Sequence, residues 1–332
     1  MATLPGLSGL SGYIPALPTP FNDVDDVDLA AFERLCHRLI DCGASALLVC
    51  GTTGEAPNLT HDEHDQIVRI AVSAARGKAT VIAGIGSNAT EQAIALSKEA
   101  AAAGAEAVLA VVPYYNKPTQ AGMYAHFCAI ADATDLPILL HDVPARTVCA
   151  LTDDTVARLA ERPQFIGLLD SSSDVSRPLR LRRILDPEFR LLTGDDATAL
   201  AFFAHGGDGC VSSLVNLAPG LCRAMYLAWT ERHVMRARQL ATAAGTIAAA
   251  LARESDPAPL KYALSTMGVM SPRVRLPLVE PTRDTRAVLD AVLAQASATH
   301  PGYLIGDDTL PARRHVRIPG GIRQRRRAMV AT

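Results

Sequence analysis

Hydrophobic and polar positions along the chain fall into two alternating patterns. Short apolar runs recur at YIPALPT (13–19), ALLVC (46–50), TVIAGI (80–85), AVLAVV (107–112), PILLHD (137–142), FIGLLD (165–170), FRLLTG (189–194) and GCVSS (209–213). They are rich in Val, Ile and Leu and mostly lack period-two alternation, which is the signature of strands covered on both faces of a parallel sheet. Between them lie stretches with apolar residues at helical spacing: 28–42, 61–76, 90–103, 121–133, 153–161, 176–185 and 196–204. The first ends in Gly43, a helix stop. The second follows Thr60 with Glu63 three residues on, the spacing of a capping box.

Eight strand–helix alternations predict an α/β fold, a closed (β/α)8 TIM barrel with a C-terminal helical extension. A doubly wound open sheet is the runner-up. That fold places a Gly-rich phosphate loop after its first strand, whereas this first strand runs into Thr19-Pro20-Phe21. Beyond residue 217 the pattern is helical only, at 217–232, 235–252, 258–267 and 284–296. The expected division is a barrel over 1–234, a helical cap over 235–298 and a basic, disordered tail over 299–332, whose final ARRHVRIPGGIRQRRRAMVAT carries seven arginines.

Composition changes this picture little. The net charge of −2 and the 49% hydrophobic content give no ground for a nucleic-acid or membrane partner and provide for a large core. The N-terminus lacks the basic and apolar regions of a signal peptide, and no apolar run is long enough to span a bilayer. The seven cysteines form no CxxC pair and read as reduced, mostly buried thiols, so a cytoplasmic location is expected. Of the 32 basic residues only four are lysines: Lys78, Lys98, Lys117 and Lys261.

In an α/β barrel the chemistry sits in the loops after the strands' C-terminal ends. After the second candidate strand comes Gly51-Thr52-Thr53-Gly54-Glu55, either a turn that offers amides and hydroxyls to an oxyanion or a plain βα turn. After the fourth comes Pro113-Tyr114-Tyr115-Asn116-Lys117-Pro118, where a phenol could relay a proton. After the fifth comes His141-Asp142-Val143-Pro144-Ala145-Arg146-Thr147, in which Arg146 offers a fork to a carboxylate. The sixth and seventh end in Gly167-Leu168-Leu169-Asp170-Ser171-Ser172 and Thr193-Gly194-Asp195-Asp196.

GTTGE, PYYNKP, DVPART, GLLDSS and TGDD, in that order, together with DPAPLKYAL at 256–264, resemble the dihydrodipicolinate synthase / N-acetylneuraminate lyase family over residues 9–297. The resemblance implies a class I aldolase-type site in which a lysine at the end of strand six captures the ketone of pyruvate as an imine. It implies that Gly51, Thr52 and Thr53 bind the oxo-acid carboxylate and that Thr53 or its neighbour passes protons to Tyr115, supplied by an adjacent subunit. It also implies that Arg146 holds a second substrate's carboxylate, that Gly194 and Val211 line the ligand, and that the protein is a homo-oligomer, dimer or tetramer. No metal and no cofactor are expected.

Two positions depart from the family pattern. Where the family reads Gly-Ile-Lys-Asp/Glu, this chain places Leu169 at the lysine position; where it reads Tyr-Asn-x-Pro, this chain places His141 at the tyrosine position. A leucine forms no imine. Three roles remain open for His141: a polar filler, a general acid/base, or a metal ligand with Asp142 or Glu55. The expectation is a dihydrodipicolinate synthase-like protein with a pyruvate-type oxo-acid pocket and no Schiff-base chemistry, hence a pseudoenzyme or ligand-binding protein. The alternative is an active lyase or hydratase that uses His141 and Tyr115 as acid and base.

Overall fold

A computed structural model describes residues 10–299 and 302–304. Eight parallel strands form one sheet: β1 (Gly12–Pro15), β2 (Ala46–Val49), β3 (Thr80–Gly84), β4 (Ala107–Val111), β5 (Ile138–Asp142), β6 (Phe165–Asp170), β7 (Arg190–Thr193) and β8 (Gly209–Ser212). The order β1-β8-β7-β6-β5-β4-β3-β2 leaves β1 and β2 to meet, which they do through the Ala16–Leu48 bridge and the Leu17 amide donating to the Leu48 carbonyl at 2.9 Å. The sheet thus curls into a TIM barrel, as expected from the alternation. β1 is shorter than its apolar run because Pro18 and Pro20 have no amide to donate beyond it.

The helices that follow are α1 (Leu29–Asp41), α2 (His61–Ala75), α3 (Thr90–Ala102), α4 (Gln120–Ala133), the single turn α5 (Pro144–Thr147), α6 (Asp153–Ala160), α7 (Arg177–Leu181), α8 (Ala199–Ala204) and α9 (Pro219–Thr230). Thr60 and Glu63 form the capping box reciprocally, so the His-rich start of α2 is a helix N-terminus; His61 there pairs with Glu99. Two helices are shorter than the periodicity suggests. α8 begins only at Ala199 because Asp195 bonds the Ala197 amide and the Thr198 hydroxyl, while Asp196 is drawn across to the Ser212 hydroxyl and the Leu214 amide. Short aspartate side chains there compete with the helix for the backbone. α7 breaks into turns after Leu181, ahead of Pro187.

Two apolar layers follow from the strand geometry. Alternate residues point to opposite faces, so Leu48, Ile82, Leu109, Leu139, Leu169, Leu192 and Val211 fill the barrel interior. Leu47, Val81, Val108, Leu140, Leu168 and Leu191 face the helices. The cysteines are free thiols, four buried and three partly buried.

α10 (Val234–Leu251), α11 (Ala258–Thr266) and α12 (Arg283–Thr299) pack together after the barrel. Among the described residues no helix is long and apolar enough to cross a membrane. The expected basic tail lies outside the described residues, apart from 299 and 302–304.

A buried ion pair ties the helical extension to the barrel. Lys261 of α11, fully buried, donates from Nζ to Glu55 Oε1 at 2.7 Å. Its ammonium lies 4.1 Å from the centre of the Phe21 ring, and the Arg275 guanidinium lies 4.3 Å from the same ring. Glu55 Oε2 accepts from the Arg275 amide at 3.0 Å and from Asn58 at 3.2 Å, so both carboxylate oxygens are satisfied. Arg275 in turn grips Glu63, whose carboxyl it holds down at about 2. Burial of the Lys261 ammonium lowers its pKa to about 8, opposed by the attraction of Glu55.

Removing one partner of such a pair strands a buried charge, and this costs about 3–5 kcal/mol, whereas removing both is far milder. Lys261→Met is expected to lower unfolding free energy by that amount in urea denaturation, with the Glu55→Gln/Lys261→Met double variant recovering most of it. A single variant no less stable than the double would contradict the role given to the pair.

Candidate active site at the barrel mouth

The ends of β5 and β6 define the floor of the mouth. His141 is in register with Leu169, and Asp142 with Asp170. Since side chains alternate, Leu169 joins the inner cluster with Leu139, Leu192 and Val211 and is only 2% exposed. Gly194, after β7, donates its amide to the Asp170 carbonyl at 3.0 Å. A Cβ at Gly194 would lie 2.2 Å from Ser171 Oγ and 3.6 Å from Leu169 Cδ1, so Gly194, Ser171 and Leu169 are immediate neighbours.

His141 is buried, and its Nε2 lies 3.3 Å from Ser171 Oγ, a hydrogen bond whose direction follows the imidazole tautomer. Burial, reinforced by the charge of Arg146, lowers its pKa to about 4. The ring is therefore neutral at physiological pH and can both donate and accept. Arg146 is exposed on α5 and makes no side-chain hydrogen bond or ion pair with another described residue. Its charge acts on both His141 and Asp256.

Behind this floor, Asp142 and Asp170 meet Arg177 of α7. The guanidinium donates to Asp142 Oδ2 at 2.7 Å, to Asp153 Oδ1 at 3.0 Å and to the Leu151 carbonyl at 2.6 Å, and stands 3.5 Å from Asp170 Oδ1. Burial raises the Asp142 carboxyl above its ordinary range, and Arg177 opposes the shift. Asp142 Oδ1 and Asp170 Oδ2 have no partner. Asp142 thus belongs to this outer network and stands apart from the His141 ring, which points inward.

The threonine turn closes the opposite side. Its backbone is folded by the Glu55 amide donating to the Thr52 carbonyl at 3.0 Å and the Ala56 amide to the Gly51 carbonyl at 3.2 Å. Gly84 of β3 runs beneath it; a Cβ there would lie 2.0 Å from the Cys50 carbonyl oxygen. Thr52 is exposed and Thr53 buried. The Thr53 hydroxyl donates to Asp256 Oδ2 at 2.6 Å, and Ser213 donates to Asp256 Oδ1 at 3.3 Å. Asp256, from the residues that precede α11, was not singled out by the sequence reading. Neither were Ser213 and Ser171, although each follows a strand end.

Tyr115 stands elsewhere. It is 88% exposed, with φ +67 in the left-handed region, and within this chain it is not brought to His141 or Thr53. Among the lysines, Lys78, Lys98 and Lys117 are exposed; Lys261 reaches the turn but is held by Glu55. That reach across from the extension is invisible in the linear order.

Comparison with known proteins identifies the family. The model of the dihydrodipicolinate synthetase family matches residues 9–296. The chain belongs to that family. It is 44% identical over 282 residues to the 4-hydroxy-tetrahydrodipicolinate synthase of Gluconobacter oxydans, covering 85% of this chain and 95% of that protein. It is 46% identical over 287 residues to the enzyme of the same name from Hyphomonas neptunium, covering 86% and 98%. Among solved structures, the dihydrodipicolinate synthase from Acinetobacter baumannii complexed with pyruvate superposes with a TM-score of 0.84 at 37% identity, covering 87% of this chain and 99% of that one.

The depressed His141 pKa carries a stability consequence. Between pH 6.5 and about 4 the unfolded chain protonates this histidine while the folded chain does not. Stability therefore falls as pH drops through that window, by about 3 kcal/mol from this group. The expected result is a shallower pH dependence of unfolding free energy over pH 4–6.5 in His141→Gln than in the parent; equal slopes would show that the ring titrates normally when folded.

Proposed function

We propose that this protein binds a small 2-oxo acid of the pyruvate type in its barrel mouth without capturing it as a Schiff base. The observation that carries this reading is the side chain at the end of β6: Leu169 is buried in the inner apolar cluster, where it presents a methyl group beside Gly194 and Ser171. In the family pattern that position is the imine-forming lysine. An aliphatic carbon offers no lone pair to a ketone. The one buried amine nearby, Lys261, spends its protons on Glu55 and the Phe21 face.

The remaining groups suit recognition. Arg146 supplies an uncommitted guanidinium for a carboxylate, and His141 with Ser171 supplies neutral hydrogen bonds for a carbonyl or hydroxyl oxygen. Gly51, Thr52 and Thr53 form the facing turn, and Gly194 and Val211 line the floor. The exposed Tyr115 fits a homo-oligomer, dimer or tetramer, in which it reaches a neighbour's mouth. In this reading residues 1–234 make the barrel and 235–298 a cap.

A second reading is favoured by the His141–Ser171 pair. A neutral imidazole held by a hydroxyl can accept or pass on a proton, and a bound anion beside it would raise its basicity, so His141 with Tyr115 would serve an active lyase or hydratase that forms no covalent intermediate. Either reading makes this a lyase-family barrel and a soluble cytoplasmic protein with no cofactor.

Borohydride reduction in the presence of pyruvate, followed by mass spectrometry, tests the main reading. No adduct is expected in the parent, and a reduced pyruvyl adduct is expected in Leu169→Lys. That variant should also lose about 1–3 kcal/mol of stability, since it exchanges a buried leucine for an ammonium. A parent adduct, at Lys261 or elsewhere, would sink the reading. Turnover of an oxo-acid panel that disappears in His141→Ala while ligand binding persists would favour the second reading; a parent that binds but never turns over would exclude it.

A further inference from the structure

The Thr53 hydroxyl and the Ser213 hydroxyl converge on one carboxylate. Asp256 Oδ2 accepts from Thr53 at 2.6 Å, Oδ1 accepts from Ser213 at 3.3 Å, and the two hydroxyl oxygens stand 3.2 Å apart. Three separate segments bring these groups together: the turn after β2, the residue after β8, and the segment that precedes α11. Ser213 is fixed because its neighbours on both sides, Ser212 and Leu214, bond to Asp196. The side chains also stay put because the Glu55–Lys261 pair anchors α11 against the same turn.

A hydroxyl carries a single proton. With both protons directed to Asp256, Thr53 and Ser213 meet an incoming carboxylate with lone pairs alone. The charge balance points the same way. The groups facing Asp256 are the neutral Thr53 and Ser213, Arg146 of α5 and Glu55 of the turn, the last neutralised by Lys261. Among the groups that act on Asp256, Arg146 is the cation without a counter-ion of its own, so the two charges offset one another.

We infer that Asp256 is the residue that sets this mouth's selectivity for anions: as a carboxylate it occupies both hydroxyl protons and offsets Arg146, and as a neutral group it frees a hydroxyl to bind the ligand's carboxylate. Burial raises the Asp256 carboxyl above its ordinary range, in the sense this role requires. An anion entering beside it raises it further, so the ligand is taken up together with a proton. This inference rests on the reading of the mouth as a carboxylate-binding pocket and adds to it the control of that binding by pH.

Asp256→Asn keeps one acceptor oxygen and substitutes an amide donor for the other, so one hydroxyl proton turns to the ligand and the negative charge is gone. Calorimetric titration with pyruvate and with propanoate, each at pH 5.5 and pH 8, tests the idea. Asp256→Asn is expected to bind both about tenfold more tightly than the parent at pH 8, the effect of a charge at this range, and to differ less from it at pH 5.5. Ser213→Ala, which leaves the charge in place, is expected to keep the parent's pH slope. Should Asp256→Asn not fold, parent titrations in buffers of different ionisation enthalpy should still show net proton uptake on binding.

Equal affinities and slopes in parent and Asp256→Asn would overturn the inference, as would absence of binding by either anion or of proton uptake. If propanoate follows the pattern but pyruvate binds no better than propanoate, the control by Asp256 stands and the oxo-acid reading fails.

Discussion

The buried contact between Lys261 and Glu55 is the constraint on which the mouth depends. An ammonium and a carboxylate without solvent cannot be separated cheaply; the ammonium also lies against the Phe21 ring, and the carboxylate's other oxygen accepts from Asn58 and the Arg275 amide. The pair joins α11 to the turn after β2. It thereby fixes the height at which the turn's two threonines stand and brings Asp256, five residues before Lys261, over Thr53. It also keeps the only buried lysine among the described residues bonded to a carboxylate.

A second constraint is the pleat at the ends of β5 and β6. Because neighbouring residues face opposite ways, His141 and Leu169 look into the barrel while Asp142 and Asp170 look outward to Arg177. The two aspartates therefore make a framework for α7 and leave the floor of the mouth to an imidazole and a leucine. A leucine there continues the inner apolar column of Leu139, Leu192 and Val211, so the floor is packed where a lysine would have to be kept desolvated. In the proposed reading, a ligand would meet Arg146, the neutral His141–Ser171 pair and the hydroxyls that Asp256 controls.

Much of this was legible in the linear pattern. Each of the eight apolar runs coincides with one strand to within four residues at either end, because strands covered on both faces need continuous hydrophobic side chains and little else does at that length. The capping box at Thr60 and Glu63 formed as read, since both partners lie within one helical turn. The late start of the helix expected from 196 and the early end of the one expected over 176–185 have local causes: aspartates that draw the backbone to other partners in the first, turns ahead of Pro187 in the second. At the site, Gly51, Thr53, His141, Arg146, Leu169, Gly194 and Val211 lie at or near strand ends around the mouth, as the barrel rule requires. Tyr115 does not join them within one chain.

The sequence by itself determined the family, the barrel and the leucine at position 169, because these depend on local periodicity, on motif order and on one residue's identity. Only the tertiary structure decided which hydroxyls share a carboxylate, which amine is committed and that both strand-end aspartates face a helix arginine. Those properties arise from pairs some 200 residues apart, such as Thr53 with Asp256 and Glu55 with Lys261. Hydrogen bonding and desolvation act between neighbours in space, and no spacing along the chain encodes that neighbourhood until the barrel has closed and its helical extension has settled on it.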